Sequence, residues 1–411
     1  MVINNKGGNV VSVKKRVEEA IHFLQQGKLI IVADDENREA EGDLIGLAQY
    51  ATSETLNQMV TEARGLVCVP MSAGTAGRLG LGQMTIENTD VHGTAFTISV
   101  DHHTTTTGIS TAERALTIRE LANPEAKPSD FLRPGHIFPL VGQDNGAIVR
   151  AGHTETAVDL ARLAGAQPVA YICEILNTDG TMARRPELKE QAVRMAIPFI
   201  TVADIVRYRH LINDRILEAD VQVDLPTEYG DFKVQVMTSL SDQKEQIVVS
   251  KGEFETEKIP LIRLHSECMT GDIFGSHRCE CGEQLGEALQ RIEADGTGAV
   301  LYLRQEGRGI GLVSKLRAYQ LQEQGRDTYD ANIELGFEAD GRDYGIAAAM
   351  LKTLGIKRIR LLTNNLDKVT ALQAYGIEVV ERIALQIAPR LENKAYLKTK
   401  QTKFNHQLTI D

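Results

Sequence analysis

Three cysteines constrain this chain more than any other feature. Cys268, Cys279 and Cys281 lie in RLHSECMTGDIFGSHRCECGEQL, residues 263–285, as C-x10-C-x-C in a polar loop with Gly271, Gly275 and Gly282. Thiolates are soft ligands that select zinc. Zinc takes about four tetrahedral ligands, so three from the protein leave one position open for water, the catalytic arrangement. Such a zinc brings its bound water to a pKa of about 7. Two other readings fit the same spacing: three small buried hydrophobes, or a structural zinc ribbon with His265 or His277 as fourth ligand. An apolar run at 299–303 follows, then Gln305-Glu306-Gly307-Arg308-Gly309. A glycine-rich turn at the carboxyl end of a strand is where α/β proteins place phosphate-bearing ligands.

With 411 residues, the chain is too long for one ordinary core, and two domains are expected. The net charge of −11 disfavours a polynucleotide partner, which needs a basic face. Five scattered cysteines suggest no disulfide framework. The first twenty residues hold no apolar core of signal-peptide length, and no run reaches membrane-spanning length. A cytoplasmic protein, with neither membrane nor nucleic acid as partner, is the expectation.

Downstream, helical periodicity over 283–294, 312–324 and 344–354 alternates with apolar runs at 299–303 and 359–363, which predicts α/β topology. Together with RLHSECMTGDIFGSHRCECGEQL and YLRQEGRGIGL, the run DTYDANIELGFEADGRDYGI and the sequence LLTNN resemble GTP cyclohydrolase II, over roughly residues 215–405. The resemblance implies that Cys268, Cys279 and Cys281 hold a catalytic zinc. It implies GTP contacts at Arg263, Leu264, His265, Ser266, Glu267, Gln284, Glu306, Gly307, Arg308, Thr328, Thr363 and Lys368, with Mg²⁺ on the phosphates. Asp340 is implied as a proton acceptor and Arg342 as a nucleophile at the α-phosphate. Guanidinium chemistry read alone makes Arg342 a phosphate clamp, because the group stays protonated. Leu366 stands where the family commonly has proline, and Ala347-Ala348-Ala349 also departs from its pattern.

In the first half, Val13, Val17, Ala20, Ile21 and Leu24 form one face of a helix over 13–26. Strands are expected at 29–32, 66–71, 95–100 and 170–176, with Cys68 and Cys173 as packing residues. Glu39, Glu41 and Asp43 are spaced by two, so in extended chain their carboxylates share one side. Hard oxygen ligands grouped this way suit Mg²⁺ or Mn²⁺; a solvated acidic turn is the competing reading. The run 104–107 of four threonines beside His102 and His103 reads as a sugar-phosphate contact or a polar loop. Thr156 followed by Asp159 is a capping-box pattern, predicting a helix over 157–164. Arg150, His153 and Thr154 then precede a helix N-terminus, a ready anion site.

Taken together, NREAEGD, TTTTGIS, RPGHIFPL, RAGHTETAVDLARLAG and CEILNTDGTMAR resemble 3,4-dihydroxy-2-butanone 4-phosphate synthase, over roughly residues 10–207. That resemblance implies ribulose 5-phosphate as substrate and formate as second product. Glu39 and His153 would hold Mg²⁺ or Mn²⁺. Arg38, Asp43, Arg150, Ala151, Gly152, His153, Thr154 and Glu174 would contact the sugar phosphate, with His136 and Glu174 catalytic. The two resemblances imply a bifunctional riboflavin-pathway enzyme and a homodimer. The expected fold is α/β with mixed sheets, in two domains, 1–210 and 211–411, with no Pro- or Ser-rich linker between them.

Overall fold

The computed structural model describes residues 6–409 apart from 36–37, 255–256, 338, 343 and 405. Two compact units emerge, Ser12–Tyr208 and Arg209–Asp411. Each is built on a seven-stranded mixed sheet with packed helices, the expected α/β class.

The first sheet comprises β1 Ile30–Ala33, β2 Gly42–Leu47, β3 Cys68–Ser72, β4 Val100–His102, β5 Phe131–Gly142, β6 Ala170–Glu174 and β7 Phe199–Thr201, in the order β4-β5-β3-β6-β2-β1-β7. Its central strands are buried on both faces. Ile31 and Leu44 enter one apolar cluster, and Ile30 and Ile45 the other. The predicted helix stripe, Val13 to Leu24, covers the second face from helix Lys6–Gln25. Cys68 and Cys173 are buried within these clusters, as packing predicts.

Two local expectations are corrected. Residues 95–99 run beside β5 but make only isolated bridges, such as Phe96 to Leu140. Thr97 N–H donates to the Pro139 carbonyl at 2.9 Å, and proline has no N–H to return the bond, so no ladder forms. The helix predicted at 157–164 spans His153–Leu163, with Gly152 as N-cap and no side-chain cap. The Thr156/Asp159 capping box does not form. The Asp159 carboxylate instead accepts from Ala147 N–H at 2.9 Å, fixing the preceding turn.

The second sheet comprises β8 Leu217–Thr227, β9 Gly230–Ser239, β10 Glu245–Lys251, β11 Leu261–Ser266, β12 Gly298–Leu303, β13 Arg358–Leu362 and β14 Glu378–Ile383, in the order β14-β13-β11-β12-β10-β9-β8. β8 to β10 are an antiparallel meander, while β14, β13, β11 and β12 run parallel. The carboxyl ends of β11, β12 and β13 therefore lie side by side, where α/β sheets place ligands. They lead into Glu267-Cys268, Gln305–Arg308 and Thr363–Asn365 respectively. Leu366 is the first residue of helix Leu366–Ala374, capped by the Asn365 side chain. Proline is equally at home at that position, so this departure leaves the turn intact. Ala347, Ala348 and Ala349 are core residues of helix Gly345–Thr353.

Candidate active sites

In the first unit the end of β1, the start of β2 and the end of β6 meet, since Ala33 pairs with Gly42 and Asp43 with Glu174. Asp34, Glu39 and His153 bring ligand atoms within 4.8 Å of one another. The expected Glu39-Glu41-Asp43 row does not form: Ala40, at φ +57°, turns the chain out of extension. Glu41 is left outside the cluster, and Asp34, from the end of β1, takes its place. Asp43 lies beside it, Oδ1 being 3.7 Å from His153 Nδ1. Buried Asp43 Oδ1 and His153 Nε2 have no hydrogen-bond partner. Orphaned buried atoms and a hard oxygen-plus-imidazole donor set fit a divalent cation. Burial pushes the Asp43 carboxyl up to about 7. Burial opposes charge on His153, but Asp43 and Glu39 outweigh it and raise the imidazole to about 9.

Arg38 and Arg150 converge on the N-terminus of helix His153–Leu163. A Cβ on Gly152 would stand 2.8 Å from Arg150 Nη1 and 3.1 Å from Arg38 Nη2, so glycine lets two guanidinium groups approach the free amides. Arg150 donates to Glu155 at 2.6 Å and to the His92 carbonyl at 2.9 Å. Arg38 donates to Asp34 at 2.7 Å. Ala151 and Gly152 precede the helix, and Thr154 is buried in its first turn. Glu174 Oε2 accepts from Leu66 N–H at 2.9 Å.

His136 belongs to a different group. On β5 its Nδ1 is 2.7 Å from Asp101 Oδ2, and its backbone N–H donates to Asp101 Oδ1 at 3.0 Å. β5 lies three strands from β2, roughly 14 Å at the usual strand spacing. The threonine run is tied down locally: Glu113 accepts from Thr106 N–H at 2.5 Å and Thr106 Oγ1 at 2.7 Å.

In the second unit the three cysteines converge, with their sulfurs within 4.8 Å of one another and Cys268 Sγ 3.6 Å from Cys279 Sγ. The cradle is tight: a Cβ on Gly271 would lie 2.8 Å from Cys279 Sγ and 3.2 Å from Cys268 Sγ. Among the described residues no fourth His, Asp or Glu joins this group. His265 is engaged elsewhere, its Nε2 3.0 Å from Asp272 and its ring stacked on Tyr302. His277 lines a neighbouring pocket that Cys279 also lines, but it does not join the three-sulfur group. Among the described residues neither histidine of the closed-ribbon reading joins the sulfurs, and the packing-only reading does not explain sulfurs gathered beside a polar pocket. Hydrogen bonds from the Cys279 and Cys281 thiols, then the Lys315 ammonium 3.2 Å away, favour Cys268 as thiolate against the burial penalty. The same bond with Cys268 pushes Cys279 up to about 11. Three crowded sulfurs that resist joint ionisation fit a dication between them.

One pocket at the ends of β11, β12 and β13 is lined by Arg263, His265, Ser266, Glu267, Gln284, Glu306, Gly307, Arg308, Arg342, Thr363 and Lys368, together with Cys268 and Cys281. Leu264 contributes its carbonyl, which accepts from Lys368 Nζ at 2.7 Å, while its side chain is core. Thr328 falls in an adjoining pocket that shares Cys268, Cys281 and Arg308. Arg263 donates to Gln284 Oε1 at 2.7 Å. Gly307 and Arg308 both adopt left-handed backbone, φ +62° and +64°. Arginine there is strained by about 1 kcal/mol or more, and its guanidinium lies 3.8 Å over the Phe404 ring. Asp340 grips Arg342 through Nε, at 2.8 Å, and through Nη2. Burial alone would raise the Asp340 carboxyl, but Arg342 outweighs it and holds it far below the carboxylate range. Burial first, then Arg263, Arg342 and Lys400, drive the Lys368 ammonium well below the usual lysine value.

The sequence reading missed Asp34, Asp101, Lys315, Tyr396, Lys400 and His406. Lys315 links Glu306, at 2.7 Å, to Cys268. The last three come from the chain after β14 and line the same pocket.

Residues 18–208 match the model of the 3,4-dihydroxy-2-butanone 4-phosphate synthase family. Residues 218–384 match that of GTP cyclohydrolase II. Over 395 residues the chain is 56% identical to the riboflavin biosynthesis protein RibBA of Bacillus cytotoxicus, covering 96% of this chain and 99% of that one. The chain belongs to this family of riboflavin biosynthesis proteins. Its counterpart from Bacillus mycoides is 55% identical over the same shares. Among solved structures, RibBX of A. baumannii, a two-domain 3,4-dihydroxy-2-butanone 4-phosphate synthase, superposes with a TM-score of 0.65 at 33% identity, covering 90% of this chain and all of that one. The chain is a bifunctional enzyme of riboflavin biosynthesis, joining a lyase domain to a hydrolase domain that act on small molecules. Among the described residues no helix is long and apolar enough to cross a membrane.

Proposed function

We propose that residues 1–210 convert ribulose 5-phosphate at the Glu39–His153 cluster into 3,4-dihydroxy-2-butanone 4-phosphate and formate, and that residues 211–411 open GTP at the three-cysteine pocket. The observation that carries the second assignment is the meeting of three sulfurs, two glycine-freed loops and several cations at the ends of three parallel strands.

In the first site, Asp34, Glu39 and His153 hold Mg²⁺ or Mn²⁺, which when bound polarises the carbonyl and hydroxyl oxygens of the sugar. Arg38, Arg150 and the helix amides bind the phosphate. Asp43 and Glu174 face the sugar and move protons. Asp101 accepts from His136 Nδ1–H, which fixes the tautomer that presents Nε2 for proton transfer. His136 is three strands from the cation cluster, so a homodimer in which it serves a second copy's cluster is part of this reading. Mixing His136→Ala chains with Glu39→Ala chains then restores ribulose 5-phosphate turnover that neither has alone.

In the second site, zinc held by Cys268, Cys279 and Cys281 supplies, when bound, an activated water for attack on the guanine ring. Arg263, Arg308 and Lys368 bind the phosphates, with Mg²⁺ accompanying the nucleotide. Gln284 orients Arg263, and Glu306 orients Lys315 beside Cys268. Asp340 holds the Arg342 fork in place. In that pairing it is a weak base, because a base works best with a pKa near the operating pH, and it accepts a proton only when Arg342 turns to the α-phosphate. Reduced thiols of this kind suit the cytoplasm.

The test uses formate, which both reactions release. Glu39→Ala stops formate release from ribulose 5-phosphate and leaves GTP turnover near the parent's; Cys279→Ser does the reverse and loses zinc. A folded Glu39→Ala chain that has lost both reactions rules out independent sites.

A further inference from the structure

Helix Lys394–Lys403 and the residues after it lie beyond the segment that matches the GTP cyclohydrolase II model, which ends at 384. They nevertheless reach the pocket. Lys400 is buried, its side chain 10% exposed, with Nζ 2.6 Å from Glu280 Oε1 and 4.5 Å from the Tyr396 ring centre. Glu280 sits between two of the clustered cysteines, so this pair ties the terminal helix to the sulfur loop. The segment also holds known walls of the pocket. Phe404 lies under Arg308, and Gln407 N–H donates to the Asn364 carbonyl at 2.9 Å.

The charges do not balance. Six cations and three carboxylates line the pocket. Glu306 is matched by Lys315, Glu280 by Lys400, Glu267 by Arg304 and Arg342 by Asp340, which leaves Arg263, Arg308 and Lys368 without a carboxylate partner among the described residues. Lys368 Nζ has a carbonyl as its hydrogen-bond acceptor, and Lys400 adds to the positive potential it feels. Glu280 outweighs burial and keeps the Lys400 ammonium charged, while Arg263, Arg308 and Lys368 leave the ligand-free pocket net positive, a charge that a polyanion compensates.

We propose that Lys400 is a ligand of the GTP phosphate chain, delivered by the terminal helix and parked on Glu280 until the nucleotide arrives. The inference rests on the reading of this pocket as the GTP site. Tyr396 holds the ammonium by its ring face, and Glu280 gives it a second resting partner, so binding moves the charge by one side-chain rotation.

The experiment uses the full chain, with Lys400→Met, which keeps the length and removes the charge. Three quantities are measured: the GTP KM and kcat, inhibition of GTP turnover by inorganic tripolyphosphate, and formate release from ribulose 5-phosphate. Loss of one charge-assisted contact raises the GTP KM roughly ten- to hundredfold. Tripolyphosphate inhibition weakens by a similar factor, kcat falls less, and the ribulose 5-phosphate reaction stays at the parent's level. If Lys400→Met does not accumulate folded, Lys400→Gln, which retains a donor for Glu280, is measured in its place with the same expectation. An unchanged KM overturns the proposal. So does a raised KM with tripolyphosphate inhibition intact, or a parent enzyme that tripolyphosphate does not inhibit. A parent without GTP turnover overturns the GTP reading of the pocket itself, a separate result.

Discussion

Gly271→Ala is the smallest change that tests the three-sulfur site. It adds one methyl group and no charge. The added Cβ would sit 2.8 Å from Cys279 Sγ, 3.1 Å from Cys281 Cβ and 3.2 Å from Cys268 Sγ. Ordinary contact begins at 3.4 Å, so Cys279 Sγ must retreat by about 0.6 Å, and the other two must give as well. Ligand distances in a metal site tolerate about 0.2 Å. The displacement exceeds that tolerance threefold and pushes against all three ligands at once. Changes to mere supporting contacts of a metal site cost ten- to hundredfold in affinity, and moving the ligands themselves reaches at least the upper figure, about 2.8 kcal/mol.

The glycine has no left-handed φ, so alanine strains no backbone there. The effect is confined to the cradle. Zinc content by elemental analysis after dialysis against a graded chelator should fall at least a hundredfold sooner than in the parent. GTP turnover should fall in proportion, while formate release from ribulose 5-phosphate stays unchanged. A Gly271→Ala chain with parental zinc retention and GTP turnover would show that the sulfurs are not a metal site in this geometry.

Two further outcomes follow from the same contacts. Asp340→Asn removes the charge facing Arg342, in a pair whose side chains are 20% and 12% exposed; GTP turnover is lost and the second unit is destabilised by roughly 3 kcal/mol in urea unfolding. Arg342→Lys loses activity too, because a point charge cannot replace the two-pronged fork, and near-parental turnover in that chain would remove Arg342's special role. Glu113 is held down to about 2 by the Thr106 N–H and hydroxyl. A carboxyl with a depressed folded-state pKa stabilises above its ordinary value near 4.5 and loses that contribution as pH falls toward 2. The melting-temperature gap between the parent and Glu113→Gln should be full at pH 6 and close by pH 2; a gap independent of pH refutes the charge argument.

What the sequence disclosed, it disclosed through local pattern. The C-x10-C-x-C spacing, the glycines of the 307–311 turn and the stripe from Val13 to Leu24 each carry their meaning within one or two dozen residues. Failures came where a distant partner decided the outcome. Thr156 and Asp159 have capping-box spacing, yet Asp159 is claimed by the turn at Gly146–Ile148. Three acidic residues at alternate positions suggest one face, yet a left-handed Ala40 breaks the alternation. Asp101 meets His136 across 35 residues, Lys315 meets Cys268 across 47, and Lys400 meets Glu280 across 120. No periodicity encodes such pairs. The lysine-rich helix near the chain's end carries no such local mark, and only tertiary packing turns one of its lysines inward.

The likeness to RibBX sharpens the question of the second unit. That protein is a synthase of two domains, and this chain covers all of it. A shared two-domain fold therefore does not decide whether the second domain works on GTP; the residues of its site do. A unit kept only for support gains nothing from a buried lysine resting on a carbonyl, since packed apolar side chains in place of buried charge are commonly neutral or stabilising. It gains nothing from an arginine held in left-handed backbone at the pocket's edge, nor from three cysteines crowded around a glycine that admits no methyl group. Each is a local cost with no structural return. All three adjoin the same pocket, and in the function proposed for it one occupant, an anionic nucleotide beside a bound dication, would relieve them together.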